Sequence, residues 1–202
     1  MLILGITGGI ATGKSTVTRM LGALGAPTIS ADGLAHDLLA PGTPATHAVL
    51  AAFPACADLA DAAGATIDRR ALGRLVFADP AARARLESLT HPAIIAALRT
   101  RIALWRASDE APAAAAEIPL LFEAGLESLV DCIVVVTCSR SDQTSRMLAR
   151  GRFSMDEVQH QLAAQWPLAQ KEARADFLIT TADGDDGLED TRRQVEALWK
   201  RL

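Results

Sequence analysis

The sequence is poor in cysteine, carries no strong excess of either charge and contains no long apolar run. Its three cysteines, Cys56, Cys132 and Cys138, are an odd number at wide spacing. Such a set suits neither a disulfide framework nor a metal-ligand pattern, so inert thiols in a reducing compartment are expected. The longest apolar stretches, such as Cys132 to Val136, fall far short of the ~20 residues a membrane-spanning helix needs. Met1 to Ile6 has no basic segment and runs straight into glycines, which argues against a secretory leader. The expectation is a soluble, cytoplasmic protein with no membrane partner. A net charge of −4 disfavours a broad nucleic-acid surface, which is normally basic. An anionic ligand would have to be met by a local cluster of cations and backbone N–H groups.

What is present is an ordinary globular balance, with half of the 202 residues hydrophobic and 22% charged. That length buries a real core and fits one domain carrying an insertion better than two independent domains. Leu2 to Ile6 is a short apolar run suited to a strand buried on both faces of a parallel sheet. A glycine-rich turn follows, then a helix from about Lys14 to Leu24 with Val17, Met20, Leu21 and Leu24 on one face. Further strands are expected at Pro27 to Ser30, Ala113 to Ile118 (alanine-rich and weak by propensity), Cys132 to Val136 and Asp176 to Thr180. An amphipathic helix from Leu188 to Leu202 closes the chain. Strands alternating with helices imply a doubly wound α/β sheet. Two stretches break the rhythm. Leu34 to Leu104 reads as mainly helical with no convincing strand and is too long for a crossover, hence an inserted helical subdomain. Ser139 to Gln165 reads as a helical hairpin around Gly151, carrying Arg140, Arg146, Arg150 and Arg152, with the character of a lid.

The strongest local signal is Gly8-Gly9-Ile10-Ala11-Thr12-Gly13-Lys14-Ser15, followed by Thr16, which matches the phosphate-binding pattern G-x-x-x-x-G-K-[ST]. Glycines let the backbone fold tightly so that successive N–H groups point at phosphate oxygens. The helix after Gly13 adds its positive N-terminal end. Lys14 supplies a full charge to the β- and γ-phosphates, and the Ser15 hydroxyl is suited to ligate Mg²⁺. A random chain of this length would contain the pattern about once in a hundred. Here it also lies between an apolar strand and an amphipathic helix, the context it requires. The motif specifies a nucleoside triphosphate and no more. No N-K-x-D is present to mark a guanine-specific switch, and the chain is small for a helicase or a transporter ATPase.

A small-molecule kinase of this size also needs a group that activates the acceptor hydroxyl. Asp32 lies at the end of the second strand, where ligands of open α/β sheets collect. It is suited to act as a base or to join the Mg²⁺ shell, and equally suited to cap a helix opening at Gly33. Glu117 lies near the place of a Walker-B-type carboxylate and is a candidate to hold Mg²⁺ through water.

Four segments then identify a resemblance in order and spacing. They are Ile3 to Thr16, Ser30-Ala31-Asp32, Leu86 to Pro92 (which contains His91-Pro92) and Pro119-Leu120-Leu121-Phe122-Glu123. With the later run from Gln143 through Arg146 and Arg150 to Gln165 and Ala175-Asp176, the chain resembles the dephospho-CoA kinase family from Leu2 to about Ile179. The resemblance implies a P-loop kinase core with a five-stranded parallel sheet over residues 1–34 and 96–202. It implies a helical CoA-binding domain over 35–95 and a lid over 139–165. It further implies ATP and dephospho-CoA as substrates, Mg²⁺ as the ion, and a monomer or small homo-oligomer without nucleic-acid or membrane partners. The reaction it implies places a phosphoryl group on the ribose 3′-hydroxyl, the last step of coenzyme A synthesis.

On that resemblance Asp32 is the catalytic base and Arg150 the lid arginine, with Lys14 at the phosphates. Gly8 to Thr16 form the ATP site. Arg146, at i, i+4 from Arg150, shares its helical face and joins that site, the alternative being a solvated basic face. His91 faces the acceptor, or else merely precedes a proline that stops one helix and starts another. Leu120, Leu121 and Phe122 read as wall rather than chemistry, the other reading being that they pack against the pantetheine arm or adenine of the acceptor. Glu123 either accepts from the acceptor or begins a helix. Arg69, Arg70 and Arg74 suit solvation better than the acceptor's pyrophosphate. One departure stands out. Where many family members carry an asparagine after the last strand, this chain has Thr181, which weakens any base contact made there. The rival readings are another small-molecule kinase, of the nucleoside monophosphate or shikimate type, and a nucleotide-binding regulatory module.

Overall fold

A computed structural model describes residues 1–58, 66–108, 110–149, 151 and 154–202. The chain divides into two compact units, Met1–Ser30 with Ile102–Leu202, and Ala31–Arg101. In the first unit, β1 (Leu2–Gly8) leads into α1 (Lys14–Ala23), and β2 (Thr28–Ser30) follows. The second unit holds α2 (Ala31–Leu38), α3 (Pro44–Ala52), α4 (Arg69–Ala78) and most of α5 (Pro80–Arg106). The chain then returns through β3 (Ala113–Glu117), β4 (Cys132–Thr137), α6 (Arg140–Ala149) and α7 (Met155–Ala163). It ends with α8 (Leu168–Glu172), β5 (Phe177–Thr180) and α9 (Gly184–Trp199).

The five strands lie in the order β2-β3-β1-β4-β5 and every pairing is parallel. β1 is central because it is apolar on both faces, with Ile3, Leu4 and Ile6 at 0% exposure. Beside it β3 is Ala-Ala-Ala-Ala-Glu, a poor strand by propensity yet buried along its whole length. Its small side chains let α1 lie close, and Val17 and Leu21 meet Ala113 and Ala115 in the core cluster with Val195 and Leu198 of α9. Tertiary burial outweighs intrinsic preference here. Two carboxylates pin the entry edge of the sheet: Asp131 accepts from the Ile3 N–H at 2.9 Å, and Asp176 from the Ile133 N–H at 2.7 Å.

The second unit has its own core of Val49, Phe53, Cys56, Ile67, Leu72 and Ala82. Arg69 donates to the carbonyls of His36 and Leu39, tying α4 to the end of α2. His91-Pro92 was expected to end one helix and start another. Instead α5 runs 27 residues with Pro92 inside it. An interior proline costs about 3 kcal/mol through its missing N–H and ring clash. Burying Leu98 and Ile102 beyond it, at 1% and 4% exposure, contributes roughly 1.5–3 kcal/mol each. The helix therefore continues.

Candidate active site

The turn between β1 and α1 is bound on its outer side by side chains from elsewhere in the first unit. At Gly8, φ is +147° and a Cβ would stand 2.1 Å from the Val136 carbonyl oxygen, so no other residue fits. At the other end Gly13, with φ at +91°, is the N-cap of α1. Between them Ala11 has φ at +58°, a left-handed conformation that costs energy for a residue with a side chain. Its methyl is held in a cluster with Met147, Val158 and Leu162 of the α6–α7 hairpin.

Four successive carbonyls of the turn are each taken by a side-chain donor. Lys14 Nζ reaches Gly9 O at 2.7 Å, with the Thr12 hydroxyl also donating to it at 2.9 Å. Gln143 Nε2 donates to Ile10 O at 2.7 Å, Arg146 Nη1 to Ala11 O at 3.1 Å, and Thr181 Oγ1 to Thr12 O at 2.8 Å. In a planar trans peptide the N–H points opposite to the C=O. The N–H groups of Ala11 and Gly13 therefore face away from Gln143 and Thr181, which hold the carbonyls of the same peptides, the orientation a phosphate-binding turn requires. Gln165 completes the hold by accepting from the Ile10 N–H at 2.9 Å.

Arg146 is more occupied than a solvated basic face would be. Besides Ala11 O it donates to Thr181 Oγ1 at 2.9 Å and pairs through Nε with Asp183 at 2.7 Å. Thr181, noted for replacing an asparagine, thus spends its hydrogen on the phosphate loop and accepts from Arg146. Burial pushes the Cys138 thiol up, against the lowering effect of nearby Arg146.

Ser15, in the first turn of α1, donates to Glu117 Oε1 at 2.7 Å. Glu117 ends β3, pairs in register with Ser30 of β2 and is 4% exposed. Asp32 follows Ser30 by two residues and lies in the first turn of α2, after the position a helix cap would take. A carboxylate there is favoured by the positive end of the helix. His91 is half-buried within α5. Thr16 continues α1, its N–H on Gly13 O at 3.0 Å. Arg150 and Arg152 lie outside the described residues.

Beyond Glu117 the chain turns through Pro119 to Gly125 before β4. Leu121 and Phe122 are buried, and Leu120 is half-buried. Glu123 Oε1 accepts from Lys171 Nζ at 2.8 Å and from the Trp166 N–H at 3.2 Å. Its Oε2 is buried with no hydrogen-bond partner among the described residues. Lys171 also donates to the Pro119 carbonyl at 3.2 Å, as does the Thr7 hydroxyl at 3.2 Å. The Trp166 ring stacks on Phe122 at 5.9 Å and 8°, with the Arg174 guanidinium 4.9 Å from the Trp166 centroid. Lys171 and Asp183 escaped the sequence reading. In sequence each is a charged residue in a polar stretch, and nothing local marks the partner that holds it.

A parallel sheet in this order, a glycine turn of the phosphate-binding pattern and a buried acid beside the turn's serine define the P-loop nucleotide-binding class. The comparisons with known proteins narrow that class. A family model described as dephospho-CoA kinase matches residues 2–186. A dephospho-CoA kinase of Geobacter metallireducens is 49% identical over 99% of this chain and 96% of its own length. Among solved structures, a Thermus thermophilus protein superposes with a TM-score of 0.78 at 33% identity, covering 100% of this chain and 97% of that one. The dephospho-CoA kinase of Campylobacter jejuni superposes with a TM-score of 0.68 at 26% identity, covering 98% and 96%. The chain belongs to the dephospho-CoA kinase family.

Proposed function

We infer that this chain transfers the γ-phosphoryl group of ATP to the ribose 3′-hydroxyl of dephospho-CoA, yielding ADP and coenzyme A. Family membership gives the reaction, and the observation that carries it to particular residues is the phosphate turn with its Ser15–Glu117 pair. In this reading Gly8 to Thr16 cradle the triphosphate, and Lys14 brings its charge to the β- and γ-phosphates. Asp32 takes the proton of the 3′-hydroxyl, and Arg150 steadies charge on the transferring group. Arg146 belongs to the ATP site by holding the carbonyl face of the turn rather than as an unengaged cation. Leu120 and Phe122 line the acceptor's path, with Glu123 and His91 as its polar contacts.

The donor set fits Mg²⁺. Ser15 Oγ and Glu117 Oε1 are hard oxygens 2.7 Å apart, the ligand type this ion takes together with substrate phosphates and water. Ser15 would hold the ion and Glu117 would hold its water shell. The ion supplies neutralisation of charge on the phosphates. The reading includes a cytoplasmic setting, because the free, buried thiols of Cys56, Cys132 and Cys138 suit a reducing compartment. It also includes a monomer or small homo-oligomer. Among the described residues no helix is long and apolar enough to cross a membrane.

The test is a coupled ADP-release assay with dephospho-CoA, adenosine, AMP and shikimate offered as competing acceptors. ADP release should follow dephospho-CoA alone. ATP hydrolysis indifferent to dephospho-CoA would overturn the reading in favour of a regulatory module.

A further inference from the structure

We propose that Lys171 is a positioning residue for the acceptor, acting through the turn Pro119–Gly125. Its side chain is 0% exposed, and a buried ammonium is retained only where it is paired and hydrogen-bonded. Both of its named partners lie on that turn. Nζ reaches the Pro119 carbonyl at 3.2 Å and Glu123 Oε1 at 2.8 Å. One cation thus fixes the spacing of residues 119 and 123, and Leu120 and Phe122 lie between them. A turn has no strand ladder to hold it, and its internal bonds, such as Ala124 N–H to Leu120 O at 3.0 Å, are short-range. The ammonium adds a long-range constraint that grips both ends, beside the Thr7 hydroxyl on the Pro119 carbonyl and the Trp166 N–H on Glu123.

The element that carries the lysine is itself fixed. Glu172, the next residue of α8, accepts a hydrogen bond from Thr137 at the end of β4. The N–H of Trp166 reaches the same Glu123 oxygen that Lys171 holds. A backbone N–H just before α8 and a side chain within it therefore converge on one turn, and the sheet anchors that segment. The arrangement predicts an effect on the acceptor side, because both partners given for the Lys171 ammonium, the Pro119 carbonyl and Glu123 Oε1, lie on the Pro119–Gly125 turn.

The proposal rests on the reading of Leu120 and Phe122 as acceptor wall, and the experiment separates the two. Lys171→Met, Lys171→Arg and Leu120→Ala are purified, their melting recorded, and KM measured for each substrate well below each melting point. Lys171→Met should raise KM for dephospho-CoA by about tenfold with KM for ATP within about twofold, the signature of lost ground-state acceptor binding. Lys171→Arg, which keeps the charge, should recover part of that loss. Should Lys171→Met fail to fold, Lys171→Gln keeps a donor without the charge and should show the same split. A pair that only stabilises the fold would lower melting while both KM values stayed put or moved together, and that result overturns the proposal. If Leu120→Ala leaves KM for dephospho-CoA unchanged, the wall reading itself fails and the role of Lys171 falls with it.

Discussion

Glu117→Gln is the most informative single substitution, because size and one acceptor oxygen are kept while the charge is removed. In the folded protein the carboxylate receives the Ser15 hydroxyl at 2.7 Å while 4% exposed. A hydrogen bond to a charged acceptor contributes about 1.5–3 kcal/mol and a neutral one about 0.5–1.5 kcal/mol. The substitution should therefore cost about 1 kcal/mol. For a chain of this length that lowers Tm by about 2–4 °C. The catalytic consequence should be much larger. If Glu117 holds the water shell of Mg²⁺, losing an outer partner of a metal site costs about 10–100-fold in ion affinity or turnover. The assay is a Mg²⁺ titration at saturating ATP and dephospho-CoA, beside the rise in Tm that ATP produces with and without Mg²⁺. The half-saturating Mg²⁺ concentration should rise, and the Mg²⁺-dependent part of the thermal shift should shrink. A Tm lowered by a few degrees with an unchanged Mg²⁺ dependence would refute the reasoning and leave Glu117 as an acceptor for Ser15 alone.

Three further outcomes are expected. Asp32→Asn should lower turnover by about a hundredfold or more, as general-base loss does, and intact activity would remove Asp32 from the chemistry; melting should move little, since only a first-turn charge is lost. Arg150→Ala should lower turnover by about a thousandfold while calorimetric ATP affinity holds, with Arg150→Lys recovering only part because the planar fork is gone; weakened ATP affinity at normal turnover would make it a ground-state binding residue instead. The thiols should resist a disulfide reagent at pH 8 until the protein is denatured, because burial pushes Cys132 up to about 11 and raises Cys56 and Cys138 as well. By the same shifts stability should be level below pH 9 and fall as pH rises toward 11, since the folded state holds its thiol protons more tightly; rapid labelling of native protein at pH 8 would contradict the burial.

The phosphate turn was legible because its demands are local. Glycines at 8 and 13, a lysine and a serine at the helix start, and an apolar run before them can all be read within about fifteen residues. The strands were legible for the same reason, to within a residue or two at each end, and even the alanine-rich β3 showed itself by its place in the alternation. Asp32 was singled out by its position after a strand, and its alternative as a helix cap gave way to a place inside the first turn. His91-Pro92 misled, because the local penalty of proline is visible in sequence while the burial of Leu98 and Ile102 that outweighs it is not. Arg146 was read as joining the ATP site on the helical face of Arg150, and nothing local showed that it would be spent on Ala11, Thr181 and Asp183.

The sequence by itself determined the chemistry's class: a nucleotide turn, a sheet to carry it, an acid after the second strand and the motifs of a known kinase family. These are short-range patterns, where residue type and spacing already dictate backbone shape or charge. Only the tertiary structure decided which side chains serve those motifs. Lys171 meets Pro119 across 52 positions, a distance over which a sequence pattern carries no signal; Ser15 meets Glu117 across 102, where motif position offered both as candidates for one ion and only the fold paired them. Partners so far apart are chosen by how the sheet and helices pack, and a charged residue in a polar stretch looks the same whether it faces water or is drawn inside to hold a turn.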